Sequence, residues 1–159
     1  MGGMIALKTP KEIQKDVESI LKKYNVIKAK LEFYNIKYNE ISELPAINAG
    51  IKSGKTYKFN SITENIALED IEMKNKLLAS LFIIFTVNSI LASLSNIEKN
   101  ILTMRYIERH KWRYISKKNN YSIRNCQRIA SYAIEKIANE YSNEIKEIVA
   151  VLSHFLRTF

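Results

Sequence analysis

Proline and glycine are scarce in this chain, at two and four among 159 residues. A fold of many short strands needs such residues at its turns, so their scarcity argues against a sandwich or barrel and for long helices. The one cysteine, Cys126, excludes an internal disulfide framework and fits a reducing cytosol, where a small apolar side chain in the core is its ordinary role. Histidine occurs only at 110 and 154, each isolated from Cys, Asp or Glu at metal-ligand spacing, so no metal is expected. No nucleophile motif is present, and Glu69, Asp70 and Glu72 sit where acidic side chains complement a helix dipole. The reading is therefore not an enzyme, with no catalytic residue and no cofactor. There is no secretory signal pattern, and Ala6 stands where myristoylation wants a hydroxyl.

What is abundant is apolar and basic. Hydrophobic residues make up 47% of the chain, enough for a sizeable core, and the formal net charge is +9. The excess is local. Between residues 99 and 136 ten Lys or Arg face only Glu108 and Glu135, a balance of +8, whereas the remainder carries +1. Charge concentrated in under a quarter of a chain implies a polyanionic partner more than a solvated face.

One stretch, "LLASLFIIFTVNSILASL" at 77–94, is long enough for a membrane span. Ser80, Thr86, Asn88, Ser89 and Ser93 interrupt it, so a buried helix in a soluble bundle is expected, and no membrane. Residues 49–56, "AGIKSGKT", satisfy the loose phosphate-loop pattern. Such a loop works where a strand delivers the chain to a helix N-terminus. Here "ISELPAIN" precedes it and "YKFN" follows it before the helix cap, so the stretch reads as a linker. No later run of strand residues ends in a magnesium-binding Asp.

Three capping boxes mark helix starts: Thr9 with Glu12, Ser61 with Glu64, and Ser95 with Glu98. The first helix, running to about Leu44 before Pro45, carries Ile13, Val17, Ile20, Tyr24, Ile27, Leu31, Tyr34, Tyr38 and Ile41 in heptad steps. Its flanks offer no complementary charges for a parallel pair. Leu21, Phe33 and Ile36 widen the stripe, as in a helix packed into a bundle, and a dimer remains open. The expected organisation is all-α: an N-terminal helix and linker at 1–60, a central apolar helix at 61–94, a helix-turn-helix at 95–138, and an amphipathic C-terminal helix at 139–159. That last helix carries Ile145, Ile148, Leu152, Phe155 and Phe159 on one face, and its continuity with the helix before it is open.

The informative segment is 94–138. A Ser95-capped helix turns Ile97, Ile101, Leu102, Met104 or the Arg105 stem, and Tyr106 inward. After a break at 109–111, a short helix over 112–118 buries Trp112 and Ile115. "NNYS" then makes a tight turn tolerant of left-handed backbone at Asn119 or Asn120. Ser122 caps the next helix, 122–137, which buries Cys126, Ile129, Ala130, Ala133, Ile134 and Ile137. Two helices so joined make a helix-turn-helix. Arg124, Asn125, Gln127 and Arg128 then point outward where base edges are read, since Arg fits the acceptors of guanine and Asn and Gln the donor–acceptor pair of adenine. Lys111, Arg113, Lys117, Lys118, Ser122 and Ser131 are expected on phosphates.

Leu94, Glu98, Ile101, Leu102, Arg105, Tyr106, Trp112, Ile115, Ser122, Cys126, Ala133, Lys136 and Ile137 give this segment a resemblance to the promoter-reading C-terminal domain of bacterial sigma factors. Cys126 stands where a branched residue such as Val is usual. The wider layout, with "FNSITEN" at 59–65, resembles the ArpU/RinA class of phage late-gene transcriptional regulators. The resemblance implies a cytoplasmic, phage- or prophage-encoded regulator in a bacterial cell, with double-stranded DNA, RNA polymerase and a second copy as partners to consider. The aromatic-rich domain that melts promoters has no counterpart, so unaided initiation is not expected. The alternative is a phage small terminase subunit or other packaging protein, which would form a large ring; a purely structural helical assembly is a third reading.

Overall fold

The computed structural model describes residues 8–42 and 56–156, with side chains placed over 8–41 and 67–154. Among them there is no strand, and six α-helices account for almost every residue. They are α1 (Pro10–Ser42), α2 (Thr56–Ala92), α3 (Asn96–Leu102), α4 (Trp112–Asn119), α5 (Ile123–Glu140) and α6 (Ser142–Leu156). The all-α expectation holds. A π-helical stretch, Thr103–Ile107, prolongs α3.

Helix α1 begins as its capping box dictates. The Thr9 N–H donates to Glu12 Oε2 at 2.7 Å and the Glu12 N–H to Thr9 Oγ1 at 3.4 Å, with Pro10 as the first helical residue. Most of its heptad stripe is covered within the chain: Ile13, Val17, Ile20, Ile27 and Tyr34 are buried, Tyr24, Leu31, Tyr38 and Ile41 are half-buried, and buried Leu21 widens the stripe as expected. Phe33 and Ile36 do not widen that stripe. They are 53% and 58% exposed, because they sit on the helix side turned away from the core.

Helix α2 starts five residues before the Ser61 box. No Gly or Pro lies between Gly54 and Ala92, so nothing stops helix from propagating back to Thr56. The linker is thus shorter than expected, and a helix does start at the Lys-Thr pair of "SGKT". Residues 43–55, holding the rest of that motif, lie outside the described residues.

The apolar helix also departs from expectation. Residues 67–92 are long and apolar enough to cross a membrane, with a mean hydropathy of 1.6 over their most apolar 18 residues, yet only 28% of that stretch is buried. Ser80, Ile83, Val87, Ile90 and Leu91 pack inward, while Leu78, Leu81, Phe82 and Phe85 face out. The helix is apolar on two opposite sides and one neighbour, α1, covers most of the inner one.

A single core runs through all six helices, from Ile13 and Val17 through Ile101, Leu102 and Ile115 to Ile148 and Leu152. Each fully buried Ile or Leu there stabilises the fold by about 1.5–3 kcal/mol relative to exposure. Trp112 and Ile129 pack at its edge, half-buried. The boundary left open in the sequence falls at Tyr141, whose φ of −120° and ψ of 30° break the helix between α5 and α6. Ile145, Ile148 and Leu152 are buried as the periodicity requires; Phe155 and Phe159 lie outside the described side chains.

Candidate nucleic-acid interface

The candidate site is built on α3, α4 and α5. Ser95 opens α3 with a complete capping box, its Oγ accepting from the Glu98 N–H while Glu98 Oε2 accepts from the Ser95 N–H at 2.9 Å and hydroxyl at 2.8 Å. Burial acts to raise the Glu98 carboxyl, but those Ser95 hydrogen bonds, helped by Lys136 with its Nζ 4.0 Å away, outweigh it and hold the group below the usual carboxylate range. Lys136 belongs to α5, so this carboxylate ties the first helix of the motif to the last.

Beyond Leu102 the helix widens. The Glu108 N–H bonds to Thr103 O at 2.9 Å and the His110 N–H to Met104 O at 2.8 Å, where a regular helix would bond four residues back. The chain then reverses at Arg109, which takes a left-handed φ of 61°. Non-glycine residues adopt that backbone at a cost, and the neighbours hold it. Arg109 Nη2 donates to Lys22 O at 3.0 Å, and Asn25 Nδ2 donates to Ile107 O at 2.9 Å, both across from α1. Arg105 lies 4.7 Å over the Trp112 ring and donates to His110 O at 3.1 Å.

Helix α4 ends at Asn120, with φ 56° and ψ 35° in the left-handed region. The sequence offered Asn119 or Asn120 for this role. Asn119 instead caps the helix from inside, its Nδ2 donating to Ile115 O at 2.8 Å and its Oδ1 accepting from Asn100 of α3 at 2.7 Å. The Tyr121 N–H and the Ser116 hydroxyl close the turn on Ser116 O and Tyr121 O respectively. Ser122 then caps α5, its Oγ accepting from the Asn125 N–H at 3.1 Å. Cys126, Ala130, Ala133, Ile134 and Ile137 are buried as expected, with burial pushing the Cys126 thiol up.

The outward face of α5 follows from that inner face. Arg124, Gln127, Arg128 and Ser131 are exposed. Asn125 is not as free as expected: it is half-buried at the edge of the stripe and its Oδ1 accepts from Arg128 Nη2 at 3.1 Å. Lys111, Arg113, Lys117, Lys118 and Ser122 are exposed, with Lys111 at the α4 N-terminus and Lys117 and Lys118 in its last turn.

Two features were not legible in advance. Tyr132, 61% exposed, continues the Arg124–Arg128 stripe by one turn, and Glu135 ends it with the opposite charge. The i, i+4 spacing from Arg128 was the signal for Tyr132. Second, α1 brings Lys15, Lys22 and Lys23 beside Arg109 around one groove, with Glu18 as its one acid. Tyr106, Arg105 and Trp112 line the adjoining groove, where burial first and Glu18 second push the Tyr106 hydroxyl up to about 12. Nothing local in α1 marks those lysines, because their neighbours lie more than 80 positions away.

Among the described residues, no group of three His, Cys, Asp or Glu lies together as a metal would require. Comparison of the chain with protein-family models, curated proteins and solved structures finds no match to any of them.

Proposed function

We propose that this protein is a sequence-specific, double-stranded-DNA-binding transcriptional regulator of the phage or prophage late-gene type, acting as an activator. The observation that carries the proposal is the arrangement of α5 against α4. A Ser-capped helix, held to its partner by a tight left-handed turn, offers Arg124, Gln127 and Arg128 from its first turns. Side chains there reach base edges when such a helix enters the major groove. The exposed cations of α4 belong to a different task. Lys111, Arg113, Lys117 and Lys118 meet phosphates, which positions the duplex without reading it. Ser122 spends its acceptor on the cap and retains its hydroxyl proton for a phosphate, and Ser131 lies one turn beyond Gln127. Asn125 reads a base only after exchanging its Arg128 hydrogen bond for one to DNA. Glu135 limits the reading surface to the turns before it, since a carboxylate facing the backbone is repelled. Arg109 and the α1 lysines extend the basic surface from the α4 N-terminus.

The resemblance of 94–138 to the promoter-reading domain of sigma factors supports the transcriptional part, and makes RNA polymerase the protein partner to test. The experiment is selection of bound sequences from random duplexes, then paired titrations of variants on selected and scrambled DNA at several salt concentrations. Arg124→Ala or Arg128→Ala should cost about 1–3 kcal/mol on the selected site and much less on scrambled DNA. Lys117→Ala should weaken both alike and reduce the log–log salt slope by about one unit. Equal loss on both duplexes for every variant refutes base reading by α5.

A further inference from the structure

The least explained surface of the molecule is the outer side of α2. Ile71, Leu78, Leu81, Phe82 and Phe85 are 56%, 53%, 46%, 39% and 74% exposed. They are not scattered. Ile71, Leu78 and Phe85 recur every seven residues, and Leu81 and Phe82 fill the intermediate positions, which is the spacing of a helix-pairing seam. The polar residues among them are partly self-satisfied. Thr86 Oγ1 donates to Phe82 O at 2.8 Å and Ser89 Oγ to Phe85 O at 2.9 Å, so both hydroxyl protons are turned back onto the helix. The face is therefore more apolar than its sequence suggests.

We infer that this seam is the contact between two copies of the chain, with the α2 helices antiparallel about a two-fold axis beside Leu81 and Phe82. Three observations select that occupant. The area is sufficient: five side chains of about 200 Å² each, roughly half exposed, offer on the order of 500 Å² per copy, or about 1,000 Å² for the pair, which is where specific interfaces begin. The charge fits one direction only. Lys74 lies on the seam one turn before Leu78 and is exposed. In a parallel pair it meets the same lysine of the other copy. In the antiparallel pair it reaches the Ser89 level of the second copy, near the C-terminal end of that α2, where the helix dipole is negative. Leu78 then packs on Phe85 of the second copy, and the contact closes on itself. Finally, a lipid surface fits poorly. Asn88, bonded to the Tyr24 hydroxyl at 2.8 Å, and the cationic Lys74 share the face, and both would have to leave water in a bilayer.

This inference is independent of DNA binding and is tested without DNA. Sedimentation of the full chain should give twice the monomer mass. Leu78→Glu with Phe85→Glu should give the monomer mass with unchanged helix content, because both side chains are exposed in the single chain. Direction is read by crosslinking: a mixture of Lys74→Cys and Ser89→Cys chains should form the mixed disulfide, and Lys74→Cys alone should not. Cys126, 0% exposed, does not compete. A wild-type monomer, a ring of many copies, a dimer untouched by the double substitution, a Lys74→Cys homodisulfide, or flotation of a wild-type monomer with phosphatidylcholine vesicles each overturns the proposal.

Discussion

Asn120 offers the sharpest test of the geometry that sets α5 against α4. Its φ of 56° and ψ of 35° place it in the left-handed region. That backbone costs a residue with a Cβ roughly 1–2 kcal/mol, of which Asn recovers part through its own polar side chain. Asn120→Ala should therefore destabilise the protein by about 1 kcal/mol, as there is no such recovery for Ala. Asn120→Gly removes the steric cost but loosens the unfolded chain by about 0.5–1 kcal/mol, so its net effect should be within about 0.5 kcal/mol of zero. For a chain of this length, 1 kcal/mol is about 2–4 °C in Tm. Thermal and urea unfolding followed by circular dichroism would measure both variants. Since Asn120 is exposed, the difference between them reports backbone and not packing. An alanine variant as stable as the wild type, or a glycine variant worse than the alanine, refutes the left-handed turn. Arg109→Gly is the comparison: it relieves similar strain but also deletes the Arg109 hydrogen bond to Lys22 O, so it should be the more destabilising of the two glycine substitutions.

Glu98 and Cys126 supply two further checks. The folded state holds the Glu98 carboxyl below its ordinary value, so its stabilising effect is fully present above the unfolded pKa of about 4.3 and is lost as pH falls through the folded pKa. The stability gap between wild type and Glu98→Gln should accordingly narrow between about pH 6 and about pH 3, and a gap independent of pH contradicts the assignment. Cys126 is fully buried with its thiol pushed up by burial, so a water-soluble disulfide reagent should label it only as fast as the core opens. Labelling of the native protein at the rate of the unfolded chain would show that α5 does not pack as described.

Much of the helical architecture is local in origin and was legible in the residues. Thr9 with Glu12 and Ser95 with Glu98 start helices because each pair satisfies its own backbone donors within four residues. The inner faces of α4, α5 and α6 follow from apolar spacing alone, and the asparagine pair at 119 and 120 announces a turn. Local pattern fails where the deciding neighbour is distant. Ser61 carries the same capping signature as Ser95, yet the helix runs through it, because a cap acts only where helix is interrupted upstream. The exposure of Phe33 and Phe85 could not be read from α1 or α2, since apolar residues on both sides of a helix do not say which side a neighbour covers.

By itself the sequence determined an all-helical chain, the succession of capped helix, short helix, asparagine turn and Ser-capped helix over 95–138, and the concentration of positive charge within it. Only the tertiary structure decided that most of the α1 heptad stripe is covered inside the chain, that Arg109 is anchored on Lys22 of α1, and that one apolar side of α2 is left exposed among the described residues. The division has one physical cause. Helix formation and capping are satisfied within a few residues, whereas burial is satisfied by whatever element arrives from elsewhere in the chain, and an 87-residue separation leaves no mark on either partner's local pattern.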